Sequence, residues 1–342
     1  MLELLKELCA ERAPSGCEAA VAQRIIKEIG PYAELRTDAL GNVIAFKKGD
    51  RPAKTRLMLC AHMDEVGLIV TCITGDGFLK FAAVGGIDPR VMAGRRVLIG
   101  AGGIPGVIGM KVLHLLEGDE AKTAPSVEKL YIDIGAATRQ EAERLVSPGD
   151  TAVFDSQFEE FGDGFIKARA IDDRVGCAIL VQMIRQPQPF DLTFAFTVQE
   201  EVGSCGAKAA TFAVAPEAAI VVEATTAADI PFVAEEKRVC FVGRGPVVSF
   251  MDKGTVYDRA LYRLAFSLAE QQGISCQPKK ATAGGNDAAS VHVSREGVRT
   301  AAVSLPCRYL HSPSCVIKWS DAEETLRLLS ALSAAVAGGG AA

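Results

Sequence analysis

The segment LTFAFTVQEEVGSCGAKAATFAVAPEAAIVVEATT, residues 192–226, contains the pattern that decides the fold. Apolar, aromatic and β-branched residues predict strands over 192–198 and 218–222, and the stretch between them predicts a helix over 206–213. A strand, a helix and a second strand in this order are typical of parallel strands joined by a crossover helix. The segment therefore predicts a parallel sheet covered by helices.

The same alternation continues on both sides of this segment. Further strands are predicted over 43–47, 56–61 and 300–305, and further helices over 16–29, 174–186, 257–272 and from Ser320 onwards. Ser15 with Glu18, and Ser320 with Glu323, have the spacing of a capping box. The fold class predicted is α/β, with a mixed, largely parallel central sheet flanked by helices.

Residues 68–165 do not follow this alternation. Short strand-like runs occur over 68–73, 96–99, 107–112, 129–134 and 151–154. The glycines clustered between Gly85 and Gly109 favour tight turns, and GAGGIPG lacks the spacing of a phosphate-binding loop. We predict a small β-barrel-like insert over 68–165, so that residues 1–67 and 166–342 form one discontinuous α/β domain.

Composition excludes several classes of protein. Of the 342 residues, 49% are apolar and 23% are charged, which is enough apolar material for a large core. The formal net charge of −5 argues against a general nucleic-acid binder. The four histidines are His62, His114, His292 and His311, and any site that needs imidazole must draw on them.

Cysteine usage and the opening residues bear on the compartment. The ten cysteines are scattered without a C-x-x-C pair, as is typical of reduced thiols. The opening MLELLKELCAER predicts an amphipathic helix with charges of both signs, unlike a signal peptide. No uncharged apolar run approaches the ~18–20 residues of a membrane-spanning helix. We expect a cytoplasmic protein with no membrane partner.

Five short segments place acidic or histidine side chains at or beside predicted strand ends. They are AHMDEVG (61–67), AIDDRVG (170–176), VQEEVG (198–203), VVEATTAADIP (221–231) and RYLHSP (308–313). The carboxyl ends of the strands of an open α/β sheet form a crevice, so these side chains are expected to meet there. Two histidines with Asp and Glu carboxylates suit a pair of borderline divalent cations.

Each segment alone also has an ordinary structural interpretation. His62 and Asp64 point to the same side of a strand, as in a packing pair or as in a metal histidine with the carboxylate that orients it. The acid pair 172–173 could cap a helix, and the pair 200–201 could lie in a solvated turn. A protein without a functional site would require the ordinary interpretation to be correct for all five segments at once. The sequence therefore favours a metal site.

The five segments, in this order and at these intervals, resemble those of the tetrahedral (glutamyl-type) aminopeptidases, a family of co-catalytic dinuclear metallopeptidases. The insert segments VGGIDPRVMAGRRV and LYIDIGA are also similar to the family's. The resemblance extends over essentially the whole chain. It implies a zinc-exopeptidase-like fold in which residues 68–165 form a dimerisation domain.

The resemblance implies a ligand set for two divalent metal ions per subunit, Zn²⁺ or Co²⁺. His62, Asp172 and Glu223 would bind one ion. Asp172, Glu201 and His311 would bind the other, so that Asp172 bridges the pair.

The resemblance also implies catalytic roles. Glu200 matches the general base, Asp64 the carboxylate that orients His62, and Asp173 a supporting residue. The two cations would lower the pKa of a bridging water and polarise the scissile carbonyl, while Glu200 takes the proton of the water. The implied activity is removal of N-terminal residues from short peptides, by subunits that form dimers and twelve-subunit tetrahedral shells.

Other functions stay open at this point. A related two-metal amidohydrolase acting on acylated amino acids would use the same ligands, and a non-catalytic scaffold could keep the fold. A glycosidase needs carboxylates that face each other across about 5–9.5 Å, which two adjacent diverging glutamates do not provide. The preferred N-terminal residue also stays open; Arg244 and Lys253 would suit an acidic one if they lie at the pocket.

Overall fold

The computed structural model describes residues 1–118 and 122–340. The strands are β1 Glu34–Thr37, β2 Val43–Lys47, β3 Leu57–His62, β4 Gly67–Ile73, β5 Leu79–Val84, β6 Arg96–Ile99, β7 Ile104–Gly109, β8 Tyr131–Asp133, β9 Thr151–Phe154, β10 Glu159–Phe161, β11 Phe165–Ala168, β12 Leu192–Thr197, β13 Ala218–Thr226, β14 Val247–Val248, β15 Gln277–Pro278, β16 Arg299–Cys307 and β17 Cys315–Lys318. The helices are α1 Leu2–Ala10, α2 Ala19–Ile29, α3 Arg139–Ala142, α4 Ile171–Arg185, α5 Cys205–Val214, α6 Arg259–Gln271, α7 Ala288–Val291 and α8 Trp319–Ala337.

The central sheet has eight strands in the order β1-β2-β12-β3-β13-β16-β14-β15. Its four middle strands, β12, β3, β13 and β16, run parallel to one another. Antiparallel pairs occur towards both edges, between β1 and β2, β2 and β12, and β14 and β16. The mixed, largely parallel sheet predicted from the sequence is confirmed.

Helices cover both faces of the sheet. The main core lies on the face covered by α1, α2, α4, α6 and α8, and a smaller core lies under α5 and α7. Strand β3 is buried along its whole length, which explains its continuous apolar run up to His62. Within the described ranges, no helix combines the length and the apolar character needed to cross a membrane.

One strand extends further than predicted. The strand predicted over 218–222 runs as β13 to Thr226, where it still pairs with Cys307 of β16. The β-branched pair Thr225 and Thr226 favours this extension. Glu223 therefore lies within the strand rather than after it.

Both predicted capping boxes are wrong. Helix α2 begins at Ala19 without a side-chain cap, because Ser15 donates its hydroxyl hydrogen to Asp64 and the buried Glu18 carboxylate accepts the amides of Gly16 and Gln199. Helix α8 begins at Trp319, also without a side-chain cap. Ser15 and Glu18 thus pair with distant segments, which local spacing does not reveal, and Glu323 accepts a hydrogen bond from the Trp319 indole N–H.

The insert contains a closed six-stranded barrel in the order β4-β5-β8-β7-β6-β9. It has a core of its own, formed by inward-facing side chains such as Leu68, Leu79, Val97, Ile108 and Ile132. The barrel-like insert predicted from the sequence is confirmed, although β5 was not predicted. Strands β10, β11 and β17 form a separate three-stranded sheet.

Candidate metal centre

The predicted site residues lie together at the carboxyl ends of the parallel strands. His62 is the last residue of β3, Glu200 and Glu201 follow β12, Glu223 lies on β13, and His311 follows β16. Asp172 joins them from the start of α4 and lines the same cavity as those five residues. Because β12, β3, β13 and β16 are adjacent and parallel, their ends bring these side chains to one crevice.

Asp172 lies between the two histidines. Its Oδ1 is 3.4 Å from His62 Nε2, and its Oδ2 is 3.4 Å from His311 Nε2. His62 Nε2 is also 3.4 Å from Glu223 Oε1, and His311 Nε2 is 3.4 Å from Glu201 Oε1. Each histidine thus faces Asp172 and one glutamate.

This repeated spacing fits cation ligands better than hydrogen bonds. Nitrogen–oxygen hydrogen bonds are usually about 2.7–3.2 Å long. Two ligands of a tetrahedral ion with bonds of about 2.0–2.2 Å are separated by roughly 3.3–3.6 Å. All four nitrogen–oxygen pairs of the centre fall in the second range.

The hydrogen bonds of both imidazoles direct Nε2 into the centre. His311 Nδ1 lies 2.7 Å from the carbonyl oxygen of Gly86, and His62 Nδ1 lies 3.2 Å from the carbonyl oxygen of Asp64. A carbonyl oxygen only accepts, so Nδ1 carries the hydrogen in each case. In the neutral imidazole Nε2 then keeps a lone pair, as a metal ligand requires.

Asp64 connects His62 to the segment that carries the paired glutamates. Its fully buried carboxylate lies 3.4 Å from His62 Nδ1 and accepts hydrogen bonds from the backbone amides of Glu200 and Glu201 and from the Ser15 hydroxyl. Burial alone would raise the pKa of Asp64, but His62 first, and then the Ser15 hydroxyl and the Glu200 amide, outweigh it and hold the pKa at about 2. Asp64 is therefore an anion that fixes both partners.

Several carboxylates of the centre lack a compensating charge. Burial raises the pKa of Glu201 to about 7, and burial with the neighbouring Asp172 raises that of Glu223 well above its usual value. Asp172 Oδ1 and Asp173 Oδ2 are buried oxygens without a hydrogen-bond partner. Such a concentration of buried carboxylates is costly unless cations neutralise it.

The donor set fits metal ions. Ligand atoms lie within 4.8 Å of one another in two groups, one of His62, Asp172 and Glu201 and one of His62, Asp173 and Glu223. Imidazole nitrogen with carboxylate oxygen suits Zn²⁺ and similar borderline cations. The second group contains Asp173, whose Oδ1 accepts the Gly176 amide at 3.1 Å.

The barrel completes the centre at the loop after β5. Gly85 has a φ of +79°, and a Cβ there would come within 2.9 Å of a Val66 methyl group and 3.1 Å of Glu201 Cβ. Gly86 supplies the carbonyl that orients His311. The loop therefore lies close to both Glu201 and His311. Only glycine fits at Gly85 without strain.

Sequence reasoning missed a second buried acid near Glu200. Asp287 accepts a hydrogen bond of 2.6 Å from Thr197 and has a pKa raised by burial to about 6. Its charge also raises the pKa of Glu200, after the larger effect of burial, and that pKa reaches about 9. Asp287 lies in the segment TAGGNDAAS, residues 282–290, whose glycine-rich pattern was the available signal.

The cavity over the centre has a volume of about 370 Å³. Lys279 is part of its wall, together with Val239, Ala281, Ala283 and Gly284. The two basic residues suggested from the sequence lie elsewhere: Arg244 is exposed and stacks on Phe241, and Lys253 is exposed and is not part of the wall. Nothing in the local sequence distinguishes Lys279 from a solvated lysine.

A mostly parallel α/β sheet with a His/Asp/Glu cluster at its strand ends and an inserted barrel is the architecture of a metallo-aminopeptidase. Residues 41–328 match the family model of the M42 glutamyl aminopeptidases. The chain belongs to this family.

Individual relatives support the assignment over the full length. The lysyl aminopeptidase of Pyrococcus furiosus is 31% identical, with 96% of each chain covered. The TET aminopeptidase of the marine-sediment archaeon Thaumarchaeota archaeon SCGC AB-539-E09 superposes with a TM-score of 0.94 at 32% identity, covering 100% of this chain and 98% of the other. The TET1 peptidase of Pyrococcus horikoshii, which can assemble into a tetrahedron or a large octahedral shell, gives a TM-score of 0.85 at 36% identity, covering 97% of this chain and 98% of the other.

Proposed function

We propose that the protein is a dinuclear-metal aminopeptidase that removes N-terminal residues from short peptides. The observation that carries this proposal is the position of Asp172, each of whose carboxylate oxygens lies 3.4 Å from the Nε2 atom of a different histidine. A carboxylate so placed is suited to bridge two cations. The family membership supplies the peptidase chemistry.

The proposed ligands divide into two sets that share Asp172. His62, Asp172 and Glu223 would hold one divalent ion, and Asp172, Glu201 and His311 the other, with Zn²⁺ or Co²⁺ as the ions. The 3.4 Å separations within each set support this division. Asp173 is proposed as a support for the start of α4, because its Oδ1 accepts the Gly176 amide.

Two bound cations would lower the pKa of water and polarise the scissile carbonyl. Glu200 is proposed as the general base. It lines the cavity beside the ligands, and burial raises its pKa to about 9 in the protein without cations, which favours proton uptake. Glu200 would take a proton from the attacking water and pass it to the leaving amine.

Asp64 is proposed as the residue that positions this machinery. Asp64 lies beside His62 Nδ1 and accepts hydrogen bonds from the amides of Glu200 and Glu201. One buried anion therefore positions a proposed ligand of each ion, His62 and Glu201, and the proposed base, Glu200. Metal-binding histidines commonly depend on such a partner.

The nearest alternative is a two-metal amidohydrolase that acts on acylated amino acids. The experiment that separates the two activities compares leucine p-nitroanilide with N-acetyl-leucine p-nitroanilide. The aminopeptidase proposal expects hydrolysis of the free amine substrate only, because the α-amine would bind within the acidic centre. Hydrolysis of the acetylated substrate alone would establish the amidohydrolase, and hydrolysis of neither, with ions bound, would support a non-catalytic scaffold.

We also propose that the barrel mediates self-association. Apolar side chains on and beside β7 are exposed: Val107, Met110, Val112, Leu113 and Leu115. Clustered exposed apolar side chains mark interaction surfaces. We propose dimers, and shells of twelve subunits, for this chain; the dodecamer and the tetrahedral shell of the Pyrococcus horikoshii TET1 peptidase support the shells.

A cytoplasmic location is proposed from the cysteines. All ten carry free thiols, and Cys9, Cys60 and Cys177 are among those buried in the core. Reduced cysteines are typical of proteins in a reducing compartment.

A further inference from the structure

Two buried carboxylates hold the start of the turn between β12 and α5, and only one of them, Asp64, has a role in the proposed reaction. We propose that the other, Glu18, is a positioning residue, which aims the Glu200 side chain by holding the backbone of Gln199. This inference rests on the proposed function, because Glu200 is the base of that reaction. It gives a role to a residue that lies just before α2, far from the metal centre in sequence.

Three successive backbone amides of the turn donate to these two carboxylates. The Gln199 amide donates to Glu18 Oε1 at 3.0 Å. The next two amides, of Glu200 and Glu201, donate to the Asp64 carboxylate at 3.0 and 3.1 Å. Glu18 is only 5% exposed, and Asp64 is fully buried. Hydrogen bonds to ionised carboxylates are roughly twice as strong as neutral ones, so each of the three amides is held firmly.

Gln199 has an unfavourable backbone conformation directly before the proposed base. Its φ is +57°, in the left-handed region where a residue with a Cβ is strained. The Cys205 amide donates to its carbonyl oxygen at 3.2 Å, and Glu18 accepts its amide, so the conformation is held from both sides. A relaxation of φ at Gln199 would turn the chain that leads into Glu200.

Glu18 is itself anchored by the segment that precedes α2. Its Oε1 also accepts the Gly16 amide at 2.7 Å. Earlier in this segment the Ala13 amide donates to Glu65 Oε1, and the Glu65 amide donates to the Ala13 carbonyl oxygen, each at 3.1 Å. The segment 13–18 is therefore attached to the chain that follows β3, and Glu18 holds Gln199 from a fixed position.

The two carboxylates affect the proposed base and the proposed metal ligand unequally. Asp64 accepts the amides of both Glu200 and Glu201, whereas Glu18 accepts the amide on the far side of Glu200. Loss of Glu18 would thus release the chain next to Glu200 and leave Glu201 anchored. Because a displacement of about 1 Å can slow a reaction by about a hundredfold, turnover should suffer before metal binding does.

The test measures kcat, KM and bound metal on leucine p-nitroanilide in the wild-type protein and in Glu18→Met, whose side chain has a similar length but accepts no amide. We expect kcat to fall by about tenfold or more in Glu18→Met, with KM and metal content within about twofold of the wild type. The control Glu34→Met, at an exposed glutamate on β1, keeps the wild-type kcat.

A second substitution at Gln199 separates positioning from general support of the fold. Glycine adopts a positive φ without strain, so adding Gln199→Gly to Glu18→Met should raise kcat by about threefold or more. Adding Gln199→Ala, which retains a Cβ, should not raise it. If Glu18→Met does not fold, Glu18→Asp takes its place: its shorter side chain withdraws the acceptor from Gln199, and the same recovery with glycine alone is expected.

Three results would overturn the inference. The first is a kcat within about twofold of the wild type when Glu18 is replaced. The second is a loss of bound metal in proportion to the loss of kcat, which would make Glu18 a general support of the centre. The third is the same kcat for the glycine and the alanine double variants. A wild-type protein that fails to hydrolyse leucine p-nitroanilide with its ions bound would instead contradict the aminopeptidase function itself.

Discussion

The imidazoles of His62 and His311 have the same chemical arrangement although they come from opposite ends of the chain. Each donates from Nδ1 to a backbone carbonyl oxygen, and each presents Nε2 to Asp172 and to a glutamate. The remaining histidines lie outside the centre: His292 Nδ1 lies 2.7 Å from the Ala288 carbonyl oxygen, and His114 is exposed on the insert. A backbone carbonyl beside Nδ1 is therefore not special to the site; what sets His62 and His311 apart is that Nε2 faces Asp172 and a glutamate.

Glu200→Gln is the substitution that most directly addresses the proposed base. Gln keeps the shape of the side chain but cannot take a proton, so we expect kcat to fall by at least about 10²- to 10⁴-fold. Metal content should stay near wild type, because Glu200 is not in either proposed ligand set.

The measurement pairs steady-state kinetics on leucine p-nitroanilide with metal analysis of the purified variant. Glu236→Gln, at an exposed glutamate outside the cavity, serves as the control and should match the wild type. Near-normal turnover by Glu200→Gln would exclude Glu200 as the base.

Sequence patterns were sufficient to bring most residues of the centre together, because His62, Glu201 and His311 end or follow strands of one parallel sheet. Glu223 instead lies within β13, and Asp172 comes from the start of α4. The position of Lys279 in the cavity wall and the contact of the Gly86 carbonyl with His311 could not be predicted from the sequence. Lys279 follows a two-residue edge strand and adjoins a second, exposed lysine, so its burial depends on loops that the local sequence does not place. A backbone carbonyl has no side-chain signature at all.

Among the elements, the buried parallel strands were the most predictable, whereas the barrel strand β5 was among the strands that the sequence did not predict. Strands β3, β12 and β16 have continuous apolar runs because helices cover both faces of the sheet. In β5, Leu79 and Phe81 face the barrel core and alternate with half-buried residues, including Lys80. This alternation is short and weak, and only pairing with β4 and β8 reveals it.

The turn between β12 and α5 depends on close packing at Gly206. A Cβ there would lie 2.6 Å from the Val198 amide nitrogen and closer still to the Asn42 side-chain oxygen. We expect Gly206→Ala to lower the free energy of unfolding by about 1–3 kcal/mol through overpacking. Activity should fall as well, because the displaced turn carries Glu200 and Glu201.

Urea unfolding of the two glycine variants checks this expectation. Gly75→Ala is the matched control, since a Cβ at Gly75 meets nothing within 4 Å and its φ is not positive. Unchanged stability of Gly206→Ala would show that the turn can adapt without loss.

At the scale of the whole molecule, the concentration of buried acids makes stability depend on pH and on cations. Burial raises the pKa of Glu201 to about 7, of Asp287 to about 6 and of Glu200 to about 9. The folded state therefore binds more protons than the unfolded state above about pH 4, and its stability falls as pH rises through these values. The raised pKa values of His62 and His311 act in the same direction.

Thermal unfolding of chelator-treated protein at pH 5, 7 and 8.5 tests this dependence. We expect the midpoint to decrease across the series, and Zn²⁺ or Co²⁺ to raise it most at pH 8.5, where protons compete least for the ligands. A midpoint that increases from pH 5 to 8.5 without cations would be inconsistent with this electrostatic account.

The exposed apolar residues beside β7 predict that assembly depends on the insert. Leu113 is 73% exposed, and Leu113→Asp should reduce the mass measured by light scattering to that of smaller species while the fold persists. Val256→Asp, at an equally exposed position outside the barrel, should leave the mass unchanged. A wild-type mass of one subunit, or equal masses for the wild type and Leu113→Asp, would argue against this surface.

Hydrolysis of an unblocked aminoacyl p-nitroanilide, before and after chelation, tests the central claim most directly. If His62, Asp172, Glu201, Glu223 and His311 hold two catalytic cations, a chelator should abolish activity, and Zn²⁺ or Co²⁺ should restore it as two ions per chain are bound. Activity that is unaffected by complete removal of metal would contradict the dinuclear aminopeptidase account.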